Sequence, residues 1–292
     1  MSEELTFSEL FEFAAHERED VRKMALQGVA QHSRDNAALN EFLCRNPEKS
    51  IDVLLSNFNV QRIAVLGDVL STLTNAAANT TVAEAMVSRK VVTRTIRLLD
   101  ALEASSEKAA APLKELALIL LNNLTATHVT AIDDLLQLQD EDLRGFFLSK
   151  LCTLFDRQAE SERDVQKWIL QIILNVTRVP EAQDALLRDD EWALNFQNLL
   201  ECENEGHRML IVQACRNCAS TKQSHDAICK SGIIPAVVKR VQRGEEKVET
   251  LQMMLVEFIA GMMQTGEGIN GLEEINTKKL LQTALREGTV SS

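Results

Sequence analysis

Four times in this chain an asparagine closes a run of apolar residues at helical spacing, in LSTLTNAAANT, ILLNNLTATHV, IILNVTRVPEA and QACRNCASTKQ. These residues are Asn75, Asn123, Asn175 and Asn217, separated by 48, 52 and 42 positions. The same frame extends to Gly28 in MALQGVAQ and to Gly261 in EFIAGMMQ. One such helical unit cannot bury its apolar face alone, so the copies must stack on one another. A period in the forties made of helices therefore predicts an all-α chain folded as an α-solenoid.

The clearest copy, KSGIIPAVVKRVQRGEEKVETLQMMLVEFIAGMM, shows how one unit is divided. Gly232 falls where a short helix should end, because glycine takes the left-handed conformation that closes it. Pro235 suits the first turn of the next helix, where its missing N–H is not needed. A third, longer helix is expected to start near Glu245, with acidic residues in its first turn opposing the macrodipole. One short, one middle and one long helix make an armadillo unit rather than a two-helix HEAT unit. Pro47, Pro112 and Pro180 likewise mark expected helix starts. About six such units fill residues 1–292, read as a single armadillo-like superhelical domain. LEASSEKAAAP, residues 102–112, is expected to be an exposed loop between the second and third helices of one unit. The longest gap, Asn123 to Asn175, can absorb an extra turn around DEDLRGFF, and the polar final helix TKKLLQTALREG suits the capping of an array end.

Composition fits this fold and narrows the function. Hydrophobic residues make up 45% of the 292 positions while aromatics are only 4%, with eleven Gly and four Pro, which disfavours turn-rich β folds. The formal charge of −12 opposes approach to a phosphate backbone, so nucleic acid is not an expected partner. MSEELTFSELFEFAAHERED lacks the basic start and apolar run of a signal peptide, and no apolar stretch approaches the ~20 residues that span a bilayer. A cytosolic or nuclear protein with no membrane partner is expected, its six cysteines reduced.

Two motifs invite a chemical reading. Cys215, Cys218, His225 and Cys229 spell C-x2-C-x6-H-x3-C, close to a zinc spacing, but a zinc C-x2-C pair normally sits in a tight knuckle. Here the pair lies inside an amphipathic helix. Its counterparts in the other copies are Leu73 and Ala76, Leu121 and Leu124, and Ile173 and Val176, so Cys215 and Cys218 read as small buried hydrophobes. Gly266, Gly268 and Gly271 spell G-x-G-x-x-G, which cradles a pyrophosphate only between a strand and a helix. The preceding LQMMLVEFIAGMMQ is helical by its apolar spacing, so TGEGING reads as an inter-helix turn. No nucleotide loop, nucleophile elbow or H-E-x-x-H helix is present. The carboxylate clusters Asp133 with Asp134, Asp140 to Asp142, and Asp189 to Glu191 read as solvated faces or helix starts. The sequence thus predicts no enzyme, no catalytic residue, no metal and no cofactor.

The asparagine ladder has two readings. The long helices can line a concave groove in which each Asn clamps the backbone of an extended client peptide, or each Asn can bond its neighbouring repeat and hold the spacing. Nuclear-import receptors, which this architecture resembles, pair the Asn with a Trp four positions earlier. Those positions here are Ser71, Ile119, Gln171 and Gln213, which argues against recognition of basic import signals. The candidate partner-binding set is Asn75, Asn123, Asn175, Asn217, Gln171 and Gln213.

Four ordered segments, EREDVRKMALQGVAQ, LALILLNNLTA, ILQIILNVTRVPEAQDALL and VQACRNCASTKQSHDAIC, resemble the armadillo-repeat brain-protein-sixteen-like family. The last two are the most specific, since P-E-A-x-x-x-LL and R-N-C are not demanded by a generic repeat. The family usually carries an acidic insertion before its last repeat, where this chain has only VQRGEEK. The resemblance implies a non-enzymatic folding adaptor in the cytosol whose client is translation elongation factor 2 and which works with the cytosolic chaperonin. The alternatives are an armadillo-type exchange factor for the seventy-kilodalton chaperone and a helical-repeat enzyme with a bound metal.

Overall fold

The computed structural model describes residues 3–157, 164–242 and 246–275, and these contain helices and no strand. A first pair, α1 (Glu3–Ala14) and α2 (Glu19–His32), is followed by triplets. They are α3 (Ala37–Arg45), α4 (Pro47–Leu55) and α5 (Ile63–Ala76), then α6 (Thr80–Ser88), α7 (Val91–Glu103) and α8 (Ala110–Thr127). Next come α9 (Val129–Leu136), α10 (Phe146–Arg157) and α11 (Val165–Val176), then α12 (Pro180–Leu187), α13 (Asp190–Glu201) and α14 (Glu205–Ala219). The last triplet is α15 (His225–Lys230), α16 (Ile233–Gln242) and α17 (Glu249–Met262), after which α18 (Gly266–Glu274) begins another repeat.

Two compact units divide the chain, Met1–Leu135 and Leu136–Ser292. In the first, the third helices α2, α5 and α8 lie side by side, with Leu70, Leu73 and Leu121 fully buried. In the second, α14 packs between α11 and α17, burying Ile173, Cys215 and Phe258. Each contact joins apolar faces recurring at helical spacing, the pattern already legible in the repeats.

Punctuation of the helices follows the residue types. Pro47 and Pro180 take the first positions of α4 and α12, and Pro112 and Pro235 stand in the first turns of α8 and α16. Gly232 has φ +72°, the left-handed conformation expected between α15 and α16. Asn36 and Asn79 cap α3 and α6, their side-chain oxygens each accepting two backbone N–H bonds. The loop expected over residues 102–112 is confined to residues 104–109, because Leu102 and Ala110 are buried and belong to α7 and α8. The extra length before Asn175 falls in residues 137–145, where the Gly145 N–H donates to the Leu136 carbonyl at 2.9 Å. The segment TKKLLQTALREG lies outside the described residues.

A device with no motif of its own recurs at the junction of second and third helices. The Arg22 guanidinium donates to the carbonyls of His16 and Glu17 at 2.8 and 3.1 Å, and Arg62 reaches Ser56 at 2.9 Å. Gln166 reaches Phe155 at 3.0 Å, and Arg208 reaches Cys202 and Glu203 at 2.9 and 2.8 Å. The ends of second helices leave carbonyls without helical partners, and these long side chains supply the donors.

One expected boundary is corrected. The last third helix starts at Glu249, not near Glu245, because Glu246 is drawn inward instead of opening a helix. Its carboxylate, only 4% exposed, accepts Arg208 Nε at 3.0 Å, Arg240 at 3.0 Å and the Val248 N–H at 3.2 Å. These bonds hold residues 246–248 as a loop. Burial opposes ionisation of Glu246, but the hydrogen bonds from Arg208, Val248 and Arg240 outweigh it and hold the carboxyl below its usual range.

Replacing Glu246 with Gln removes the charge between Arg208 and Arg240, and breaking a buried pair in this way costs about 3 kcal/mol. A urea titration at neutral pH is expected to show that loss. Because the folded carboxyl titrates below its unfolded value, its contribution is full above the unfolded pKa and fades as pH falls through the folded one. The difference between wild type and Glu246→Gln should therefore shrink in acid, and a gap that widens on acidification would contradict the assignment.

Candidate functional site

The third helices carry the asparagine ladder near their C-terminal ends, and the structure shows where its amides go. Asn75 Nδ2 donates to Ser33 Oγ at 2.8 Å, at the end of α2. Asn123 Nδ2 donates to the Thr74 carbonyl on α5 at 3.0 Å, and Asn217 Nδ2 donates to Thr177 Oγ1 at 3.1 Å, at the end of α11. In these three rungs the amide reaches back to the preceding third helix. Each amide nitrogen has a second hydrogen and each amide oxygen can accept, so spacing does not exhaust the group. Asn75 is exposed and Asn123, Asn175 and Asn217 are half-buried. Gln171 on α11 and Gln213 on α14, one turn earlier, are half-buried as well. In the second unit, Gln171 and Asn175 thus share adjoining third helices with Gln213 and Asn217. The Thr177 hydroxyl, two positions after Asn175, accepts the next rung and donates to the Leu174 carbonyl at 2.7 Å.

Gly261, at the ladder place of α17, works differently. A Cβ there would lie 2.7 Å from the Ala219 carbonyl oxygen, so the missing side chain lets α17 approach α14 closely. The Gly28 position lacks this constraint, a Cβ there meeting Leu10 at an ordinary 3.5 Å.

A second polar joint escaped sequence reasoning. Gln183 on α12, 2% exposed, donates to the Thr177 carbonyl at 2.7 Å and accepts from the Ser224 hydroxyl at 2.6 Å. His225 on α15, 1% exposed, repeats the arrangement one unit later. Its Nε2 lies 2.8 Å from the Ala219 carbonyl, and its Nδ1 lies 2.6 Å from Thr265 Oγ1. A carbonyl can only accept, so Nε2 carries the proton and Nδ1 accepts from the Thr265 hydroxyl, whose oxygen takes the Gly268 N–H at 3.1 Å. The signal was present as a polar residue at the same register of two short helices, Gln183 and His225, 42 positions apart. Its chemistry differs between the copies, which hid the correspondence.

This joint also decides the cysteine motif. Both ring nitrogens of His225 are engaged, and Cys215 and Cys218 are each 1% exposed within α14. Burial raises the Cys215 thiol well above its usual range, with the neighbouring Cys218 adding to the shift, and burial raises Cys218 to about 12. Among the described residues, no group of three or more His, Cys, Asp or Glu side chains is placed to hold a metal ion. The TGEGING expectation is corrected, because Gly266–Glu274 is helix α18 and not a turn. A Cβ at Gly268 would lie 2.0 Å from the Met262 carbonyl oxygen, and one at Gly271 would lie 2.6 Å from Cys229 Sγ. Two of the three glycines thus serve close packing of α18 against α15 and the end of α17.

The acidic clusters serve local structure. Asp189 caps α13 through the Trp192 N–H at 2.9 Å, Asp134 pairs with Lys90 at 2.8 Å, and Asp140 accepts the Asp142 N–H at 3.1 Å. Among the described residues, no helix is long and apolar enough to cross a membrane.

Comparison with solved structures places this architecture. A designed armadillo repeat protein superposes with a TM-score of 0.69 at 16% identity, covering 87% of this chain and 99% of the other. The fold is an armadillo-type solenoid. A second design of this kind, in complex with the peptide (KR)4, superposes at 0.70 and 16% identity, covering 87% of this chain and 98% of that one. An engineered protein superposes at 0.72 and 17% identity over 94% of this chain and 62% of its own. No family model matches the sequence. A protein of Dictyostelium discoideum, "Protein HGH1 homolog", is 26% identical over 223 residues, which is 75% of this chain and 59% of the relative. The chain therefore matches less than two thirds of that relative's length.

Two measurements check this description. Asn123→Ala and Asn217→Ala should each lower stability by about 1 kcal/mol, the net worth of one hydrogen bond, in equilibrium urea unfolding. Unchanged midpoints would remove the spacing role. Titration of native protein with a thiol reagent at pH 8 should leave Cys215 and Cys218 unmodified until denaturant is added, as mapped by peptide mass spectrometry. Rapid labelling of either in the native state would contradict their burial.

Proposed function

We propose that this chain is a non-enzymatic, protein-binding scaffold that holds an extended client segment against the amide-bearing faces of its third helices. The observation carrying this reading is the partial engagement of the ladder. Three asparagines spend one donor on the neighbouring repeat while remaining at or near the surface, so their remaining groups can meet the backbone of a bound segment. A peptide complex is on record for one neighbour of this fold, the design bound to (KR)4. A basic ligand is not the class favoured here, because Ser71, Ile119, Gln171 and Gln213 replace the tryptophans that would stack on long basic side chains.

The narrower reading is that the client is translation elongation factor 2, captured in a partly folded state in the cytosol and handled with the cytosolic chaperonin. It rests on the resemblance of four ordered segments to the brain-protein-sixteen-like family, together with the similarity to the HGH1 homolog. Two expectations follow. Affinity purification from cell extract should retain elongation factor 2 and chaperonin subunits, and Asn123→Ala with Asn175→Ala should weaken that retention. Depletion of the protein from cells should lower soluble elongation factor 2 relative to other large cytosolic proteins. Unchanged solubility on depletion would remove this client while leaving the scaffold reading standing.

A further inference from the structure

The last third helix has a face that every comparable helix of its unit covers. Five residues before each ladder position stand Leu170, Val212 and Val256, and two residues after it stand Thr177, Ala219 and Met263. Leu170 and Val212 are 2% and 3% exposed and Thr177 and Ala219 are 0% and 1% exposed, whereas Val256 is 42% and Met263 is 60% exposed. The reason lies in the repeat. Thr177 sits under Asn217 of α14 and Ala219 under Gly261 of α17, so these two positions face the following third helix. Within the first unit Leu70 and Ala77 of α5, at the same register, are fully buried beside α8. On α17, Val256 and Met263 are joined by Met253, 57% exposed, and by exposed Ala260, and together they form one stripe along the helix.

We infer that this stripe of α17 is a docking site for a basic amphipathic α-helix of a partner protein. The inference is independent of the ladder reading, because the face points along the array rather than outward from the third helices. Two observations fix the occupant. Among the described residues, no helix lies along α17 as α17 lies along α14 and α14 along α11, so the site continues an internal interface whose occupant is helical. The charge that α17 and α18 carry is of one sign. α17 and α18 contain no Lys or Arg, while Glu249, Glu257, Glu267, Glu273 and Glu274 are exposed on them. Of these carboxylates, Glu257 pairs with Arg216 of α14 at 3.3 Å. A second copy of the chain docked through the same stripe would set these carboxylates against their own kind, which disfavours it. Flexible methionine side chains suit a surface that accommodates helices of differing sequence.

The test uses full-length protein and a fluorescein-labelled peptide of about eighteen residues, with leucines at helical spacing and lysines elsewhere, long enough for five turns. Fluorescence anisotropy should show saturable binding that weakens about tenfold in Val256→Asp and in Met263→Asp, since each places a charge in the apolar contact. Both side chains are exposed, so the melting temperature should not move; Met253→Asp repeats the measurement should either variant fold poorly. A peptide with glutamates in place of lysines should bind at least about tenfold more weakly. The inference falls if a scrambled peptide of the same composition binds equally, or if the aspartate variants bind unchanged, since attraction would then be to net charge alone. It also falls if the protein is a dimer that Met263→Asp dissociates, or if truncation after Ile275 strengthens peptide binding about tenfold, because a second copy or the chain's own C-terminal residues would then hold the site.

Discussion

The contact of one third helix with the next is the constraint on which the rest of the structure depends. Burial of apolar side chains drives that contact, but burial is non-directional and does not by itself fix how far one helix is rotated or shifted against another. The polar joints supply the direction. Asn75 on Ser33, Asn123 on Thr74 and Asn217 on Thr177 each tie a ladder position to the end of the preceding third helix. At the last step the tie gives way to close approach, with Gly261 set against the Ala219 carbonyl. A bulkier residue at Gly261 and an apolar one at Asn217 would disturb the same relationship by opposite means, one by contact and the other by lost direction.

The short first helices secure the joints from the side. Gln183 and His225 have different chemistry and the same task, each donating to a carbonyl at the end of a third helix and accepting a hydroxyl from the next repeat. This is why the segment from Cys215 to Cys229 carries so many chemically interesting residues in so little sequence. It holds the core of one helix, a rung of the ladder and a clasp, and a buried histidine whose two nitrogens are both bonded is a rigid tie. The glycines that follow complete the pattern, since α18 can reach His225 and Cys229 only where side chains are missing.

Buried charge lies away from these joints, and the pair between α14 and α17, Arg216 with Glu257 at 3.3 Å, is half-exposed. Arg208, Glu246 and Arg240 form the one strongly buried ionic group described in the second unit, and it lies at the loop before α17 rather than between third helices. There it fixes the direction in which the final third helix departs. Elsewhere acidic residues gather on first and second helices, with α12 and α13 carrying acids and no Lys or Arg. On α11 and α14 the ladder positions and those one turn earlier carry amides, Gln171 with Asn175 and Gln213 with Asn217.

The sequence by itself determined the class of fold, because a helical period in the forties has few ways to bury its apolar faces, and the four prolines and Gly232 placed their helix boundaries through backbone geometry that any context respects. It also identified Cys215 and Cys218 as core residues, since their counterparts are Leu, Ile, Val and Ala. Only the tertiary structure decided the start of α17, because Arg208 lies 38 positions from Glu246 and the pull between them leaves no local trace. It alone decided that Asn217 bonds Thr177, that Gln183 and His225 are equivalent, and that Gly268 and Gly271 serve packing rather than a turn. The division has one physical cause. Periodicity and backbone preference act between residues that are neighbours in the chain, whereas each of these joints forms between groups that only the stacking of repeats brings together.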